Sequence, residues 1–175
     1  MVPLGLVGCG DDDAPAALAK TPSCDDGDET PEQTEGPYFT PGSPRRRNLR
    51  AGGALEGRAL VVTGRVLSPG CRPRRRALLD FWQADGEGEY DNAGFRGRGH
   101  QFTDTEGRFR LVTVVPGLYP GRTRHIHVKV QARGGDVLTT QLYFPREPRN
   151  RRDGIFDSAL LMRLASGRAR YDFVV

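Results

Sequence analysis

No run of apolar residues in this sequence is long enough to cross a membrane as a helix. Histidine and cysteine are both scarce, at three each. Neither a Cys-x-x-Cys nor a His-Glu-x-x-His pattern occurs, which removes the common zinc-site spacings. Lysine is nearly absent, and arginine supplies almost all of the basic residues behind a net charge of +4. The arginines fall in short runs (Arg45 to Arg47, Arg74 to Arg76, Arg151 and Arg152) with no aromatic residues interleaved. Single-stranded nucleic acid needs such rings as stacking platforms, so the runs are read as solvated surface and no nucleic-acid partner is expected.

What is present suits one turn-rich domain. A chain of 175 residues holds one real core and not two comfortable ones. Its 23 glycines and 13 prolines, with only 37% hydrophobic residues, favour short strands and turns over a helical bundle. Residues 1–33 are read as a flexible leader: Asp11-Asp12-Asp13, several alanines and prolines, and Asp25-Asp26 offer too little apolar surface to fold alone. Within it, Leu6-Val7-Gly8-Cys9 has the shape of a bacterial lipoprotein cleavage site, whose cysteine becomes acylated. The apolar stretch before it is shorter than a working signal and lacks a basic start, so the motif rests on a start farther upstream or on chance. The expectation is export to the cell envelope or beyond, with a lipidated Cys9 as membrane tether; a cytoplasmic location is the alternative.

Order is expected to begin near Thr34, a loop from Pro41 to about Leu55 follows, and from there to Val175 the pattern is strand and turn. Ala59 to Val66 ends at Ser68-Pro69-Gly70, and Ala77 to Trp82 is broken by Gly86-Glu87-Gly88. Asp104-Thr105-Glu106-Gly107 turns the chain into Arg108 to Val114, whose first residues alternate cleanly. His125 to Gln131, Val137 to Phe144 and Tyr171 to Val175 complete the predicted strands. Asp157 to Leu164 is the one segment with helical periodicity, capped by Asp157 or Ser158 and presenting Leu160, Leu161 and Leu164. The fold class is therefore all-β: a sandwich of mostly antiparallel strands with long loops and one short helix.

His125-Ile126-His127 carries the sharpest local chemistry. Residues two apart on a strand point to one face, so both imidazoles project together and can hold one metal ion. Two histidines alternating on a polar face are the plain alternative. Any further ligands must be oxygen or distant. Tyr90 closes the glycine-rich turn after Trp82, and Tyr119 stands in Pro116-Gly117-Leu118-Tyr119-Pro120-Gly121-Arg122. Tyrosines in such turns are by default packing residues with wet hydroxyls.

Several blocks, in order, resemble the intradiol ring-cleavage dioxygenases. They are Thr34-Glu35-Gly36-Pro37-Tyr38-Phe39, Trp82-Gln83-Ala84-Asp85 with Tyr90, Phe95-Arg96-Gly97-Arg98, and Thr103-Asp104 with Gly107-Arg108-Phe109. Pro116-Gly117 with Tyr119-Pro120, Arg122 and His125-Ile126-His127 follow, then Leu138-Thr139-Thr140-Gln141-Leu142-Tyr143-Phe144. Within the family the chain is most similar to the protocatechuate-type single sandwich and its exported relatives. The resemblance implies non-haem iron(III) held by Tyr90, Tyr119, His125 and His127. It implies an aromatic diol and O2 as substrates, with both oxygen atoms inserted to give a muconate-type diacid. Tyr119 would leave the metal as a base when the diol binds. Arg122 and Gln141 match positions behind the ligands, where a guanidinium stabilises charge developing on the ring. Hard phenolate donors suit a ferric ion, whose charge drives phenols with pKa of about 10 to ionise. His100 matches no ligand position and is read as a loop histidine.

Exported members of the family also resemble this chain in their cysteines. With Cys9 acylated, Cys24 and Cys71 remain to pin the leader to the sandwich by a disulfide; two free thiols in a reducing cytosol are the alternative. Two rival readings stand beside the enzyme. Gly64-Arg65-Val66 and the Gly107-Arg108-Phe109 strand also resemble transthyretin-like modules, which bind without catalysing and need none of the four ligand candidates. Extradiol dioxygenases use iron(II) with two histidines and a carboxylate. The natural catechol and the oligomeric state, including a homo-oligomer, stay open.

Overall fold

The computed structural model describes Cys24, residues 28–51 and residues 55–175. Cys9 and most of the expected leader lie outside the described residues. Among the described residues, nine strands form two packed sheets. They are β1 (Ala59–Leu67), β2 (Leu78–Trp82), β3 (Arg98–Phe102), β4 (Arg108–Val114), β5 (His125–Gln131), β6 (Val137–Tyr143), β7 (Arg163–Ala165), β8 (Arg168–Arg170) and β9 (Phe173–Val174). One sheet runs β4-β1-β8-β7, with β9 also on β1; the other runs β3-β2-β5-β6. Only β8 and β9 lie parallel to β1, and every other pairing is antiparallel.

The all-β sandwich read from sequence is the observed fold. Period-two alternation places Leu60, Val62 and Val66 of β1 against Leu79, Phe81, Ile126, Val128 and Val130 of the facing sheet, all fully buried. Each such side chain contributes roughly 1.5–3 kcal/mol on leaving water. The same alternation turns Trp82, His125, His127, Gln141 and Tyr143 to the other face of the β3-β2-β5-β6 sheet. His127 lies opposite both Trp82 and Gln141, and His125 opposite Tyr143.

The expected helix over Asp157 to Leu164 is not formed. Asp157 does cap, accepting from the Ala159 N–H, but the turn is a single 3₁₀ turn at Ser158–Leu160. Leu161 then becomes extended and bridges Tyr143, while Leu164 enters β7 and is exposed. Pairing along the edge of β6 outweighs a short helical period. The strand expected over Tyr171 to Val175 is shorter, at Phe173–Val174, and β7 and β8 precede it.

Thr30 to Gln33, read on sequence as the end of the leader, are bonded to the sandwich. Thr30 exchanges hydrogen bonds with Val174, and the Gln33 N–H donates to the Thr139 carbonyl. Farther along, the Arg46 N–H donates to the His100 carbonyl, and the His100 N–H to Pro44. One segment thus caps β6 at one edge of its sheet and β3 at the other, crossing the outer face between them. Cys24 and Cys71 are joined by a disulfide with their Cα atoms 5.1 Å apart.

Candidate active site

The site lies on that crossed face. His125 and His127 are buried, and their Nε2 atoms lie 3.1 Å apart. The His125 Nδ1–H donates to the Thr123 carbonyl at 2.7 Å, which leaves its Nε2 with the lone pair. The short contact is then closed by one proton on His127 Nε2, and a cation at that point would take the proton's place. Burial, and after it the nearby Arg122 charge, lowers the His125 pKa to about 4. Burial and then His125 hold His127 well below the ordinary value. Both rings are therefore neutral at pH 7, the state in which imidazole binds a metal.

The tyrosines come from two turns clasped backbone to backbone. The Gly117 N–H donates to the Asp85 carbonyl at 2.6 Å. A Cβ on Gly117 would lie 2.2 Å from the Gly88 nitrogen, and one on Gly88 would lie 2.4 Å from the Leu118 carbonyl oxygen. Side chains at either position would force the turns apart. Tyr90 and Tyr119 follow directly, with ring centres 5.8 Å apart. Tyr119 is 5.8 Å from His125, His125 is 4.6 Å from His127, and His127 is 6.4 Å from Tyr90. The four predicted residues thus form a closed circuit of ring contacts. Burial, then Tyr119, pushes the Tyr90 phenol far above its ordinary pKa, a shift that a multivalent cation would reverse. Two imidazole nitrogens and two phenolic oxygens are a hard, ionisable set that fits a ferric ion.

The crossing segment forms the roof. Gly36, at φ +71°, lies over His127, so that a Cβ there would contact Cε1 at 3.5 Å. Tyr38 stacks on Tyr90 at 4.3 Å, and Phe39 meets Trp82 edge-on at 4.9 Å. Trp82 in turn stacks on His127 at 4.7 Å. Lys129 secures the roof through an ion pair with Glu35 and a position over the Phe39 ring. Arg98, almost completely buried, donates to the carbonyls of Tyr38 at 2.6 Å and Asp91 at 2.7 Å, tying the roof to the Tyr90 turn.

Arg122 stands behind Tyr119. Its Nη1 lies 3.4 Å from the Tyr119 hydroxyl, Nη2 donates to Gln141 Oε1 at 2.6 Å, and Nε donates to Asp153 at 2.9 Å. Burial opposes the Arg122 charge, but Asp153 holds its pKa above the ordinary value. Burial likewise opposes the Asp153 charge, and donors from Thr123 and Arg122 hold that carboxyl below its usual range. Gln141 passes its amide N–H to the Thr34 carbonyl. The Tyr143 hydroxyl sits between Gln33, Gln141 and Ile155. His100 is not in a loop: it lies in β3, where Nδ1 meets the Ser43 carbonyl at 2.7 Å.

Asp153, Tyr143, Arg98 and Tyr38 had no role assigned from sequence. Asp153 follows an arginine-rich turn and Arg98 a glycine, contexts with the look of surface. Tyr38, Arg98 and Tyr143 lie within the segments that resemble the family, where a tyrosine's default is packing. No group of three or more His, Cys, Asp or Glu side chains among the described residues forms an alternative metal cluster.

A β-sandwich that gathers two tyrosines and two histidines on the outer face of one sheet has the layout of a ring-cleaving dioxygenase. Residues 34–172 match the family model described as Dioxygenase, and the chain belongs to the intradiol ring-cleavage dioxygenase family. The protocatechuate 3,4-dioxygenase beta chain of Burkholderia cepacia is 38% identical over 128 residues, covering 63% of this chain and 54% of that one. Hydroxyquinol 1,2-dioxygenase of Rhizobium sp. is 30% identical over 125 residues, covering 58% of this chain and 42% of that one. The chain thus spans about half the length of the curated relatives it matches. The dioxygenase domain of a dioxygenase carbohydrate-binding protein fusion from Streptomyces sp. SirexAA-E superposes with a TM-score of 0.80 at 57% identity. That match covers 85% of this chain and 98% of the other.

Proposed function

We propose that this chain is an iron(III)-dependent intradiol dioxygenase acting on a catechol-type aromatic. The closed ring of Tyr90, Tyr119, His125 and His127, with the two Nε2 atoms 3.1 Å apart, carries the reading. Bound there, iron(III) would supply a Lewis acid that acidifies the diol and draws electron density from its ring. His125 and His127 would hold the ion from fixed positions, set by strand β5 and, for His125, by the bond to Thr123. Tyr90, half-buried and stacked against Tyr38, would hold the ion as a phenolate. Tyr119, also half-buried, has its hydroxyl 3.4 Å from Arg122 and would serve both as a ligand and as the base for a diol proton. Arg122 lies beside it, with its charge secured by Asp153, and would stabilise negative charge developing on the ring as oxygen attacks. Gln141 orients the Arg122 fork and fastens it to the roof through Thr34.

The relatives named for protocatechuate, hydroxyquinol and catechol support a diol substrate without choosing among them. The Cys24–Cys71 disulfide supports an oxidising compartment, and with it export and lipidation at Cys9 as the location we propose. The test is a panel of carboxylated, alkylated and hydroxylated catechols assayed by oxygen uptake with iron-loaded protein. One substrate should give a muconate-type product; no uptake with any of them by iron-replete protein would overturn the proposal.

A further inference from the structure

The two faces of the sandwich are unlike. Opposite the site, the outward residues of β4, β1, β8 and β7 assemble arginines scattered through the sequence. Arg108 and Arg110 come from β4, Arg65 from β1, Arg168 and Arg170 from β8, and Arg163 from β7. Cross-strand register fixes their layout. Arg65 pairs with Arg108 and Arg163 with Arg170, while Arg110 and Arg170 flank Thr63 on either side. Arg47 joins them at a shallow concavity of about 450 Å³ lined also by Arg65, Arg108, Arg110 and Arg170.

Like charges directly opposite across strands destabilise a sheet, so this face is costly unless something anionic meets it. Glu106, Asp172 and Asp104 lie beside it and offset part of that charge. Arg108 pairs with Glu106, both exposed, and Arg170 with the partly covered Asp172. Among the described residues no carboxylate lies within ion-pair distance of Arg65, Arg110 or Arg168. The outward strand residues include no aromatic ring, and the exposed Phe102 at the edge of the concavity already carries Arg45 over its face, which leaves little for a base or sugar to stack on. Four strands at about 4.8 Å spacing spread the guanidinium groups in two dimensions, and not along one groove. A planar array of phosphates matches that layout better than a single linear polyanion.

We propose that the outer face of the β4-β1-β8-β7 sheet docks on an anionic phospholipid surface, leaving the active-site face turned toward solvent. The planar guanidinium fork takes two phosphate oxygens at once, which favours arginine over lysine in this role. The proposal stands apart from the catalytic reading, because none of these arginines belongs to the site.

The test is co-sedimentation of the full chain carrying Cys9→Ser, so that no acyl anchor contributes. Vesicles of phosphatidylglycerol and phosphatidylcholine in equal parts are compared with phosphatidylcholine alone. Binding is expected only to the anionic vesicles, and should be released near 1 M salt, where charges are screened beyond about 3 Å. Each arginine near an anionic surface contributes roughly fivefold in affinity, so Arg110→Ser, Arg168→Ser and Arg170→Ser together should weaken binding by roughly 100-fold. The melting temperature of the triple variant should stay level or rise, since one like-charge pair is removed. Equal binding by the triple variant, no binding of the parent to anionic vesicles, or tighter binding to soluble polygalacturonate or single-stranded DNA would each overturn the proposal.

Discussion

The two outer faces of this sandwich treat charge in opposite ways. On the β3-β2-β5-β6 sheet, charge is confined: His125 and His127 are buried and neutral, Arg122 is tied to Asp153, and Arg98 is capped by carbonyls. On the β4-β1-β8-β7 sheet, arginines stand in water with few partners. Both faces come from the same period-two alternation. What separates them is cover. The segment from Pro31 to Arg46 lies across the first, so most polar groups there are partnered inside the protein, while Trp82 Nε1 and His127 Nδ1 are buried without a hydrogen-bond partner.

The sharpest way to break this contrast is to remove a confined ligand. His125→Ala or His127→Ala should cut iron affinity by more than roughly 100-fold, beyond the loss expected for an outer hydrogen-bonding partner. Metal analysis after reconstitution and desalting would check it, and full iron occupancy in either variant would contradict the assignment. Arg122→Ala should retain iron while turnover falls roughly 10²–10³-fold, and Arg122→Lys should recover only part of the loss. Steady-state oxygen uptake alongside iron content separates this from site collapse; near-normal turnover would make Arg122 a structural residue.

A smaller effect follows from the buried imidazoles. In metal-free protein the His125 pKa of about 4 lies below the unfolded value of 6.5. The unfolded chain takes up a proton that the folded chain refuses, so stability from this group is complete above pH 6.5 and is lost as pH falls toward 4. The shift corresponds to about 3 kcal/mol, and His127 acts in the same direction. Melting of metal-free protein between pH 7 and pH 4 should be less pH-dependent in His125→Gln than in the parent. Parallel curves would contradict the linkage.

Sequence reading went furthest where one residue's neighbours in the chain are also its neighbours in space. His125 and His127 share a face because strands alternate, and β4 and β5 fall at the bounds their patterns predict. Tyr90 and Tyr119 could be placed only by family resemblance, since their proximity depends on Gly88 meeting Gly117 across a gap in the sequence. β3 escaped notice because Arg98-Gly99-His100-Gln101-Phe102 has weak strand character, and pairing with β2 and with Arg45 overrides it. The helix at Asp157 failed for the same reason in reverse. The arginine face was invisible because its members lie on four separate strands, and runs along the chain say nothing about register.

The central claim is that two tyrosines and two histidines converge on one ferric ion. Iron-reconstituted protein should carry one iron per chain (roughly, by metal analysis) and a visible tyrosinate-to-iron charge-transfer band. Tyr90→Phe and Tyr119→Phe should each change that band, because each removes one of the two phenolates that close the ring. A visible spectrum identical to the parent's in both variants would contradict the account.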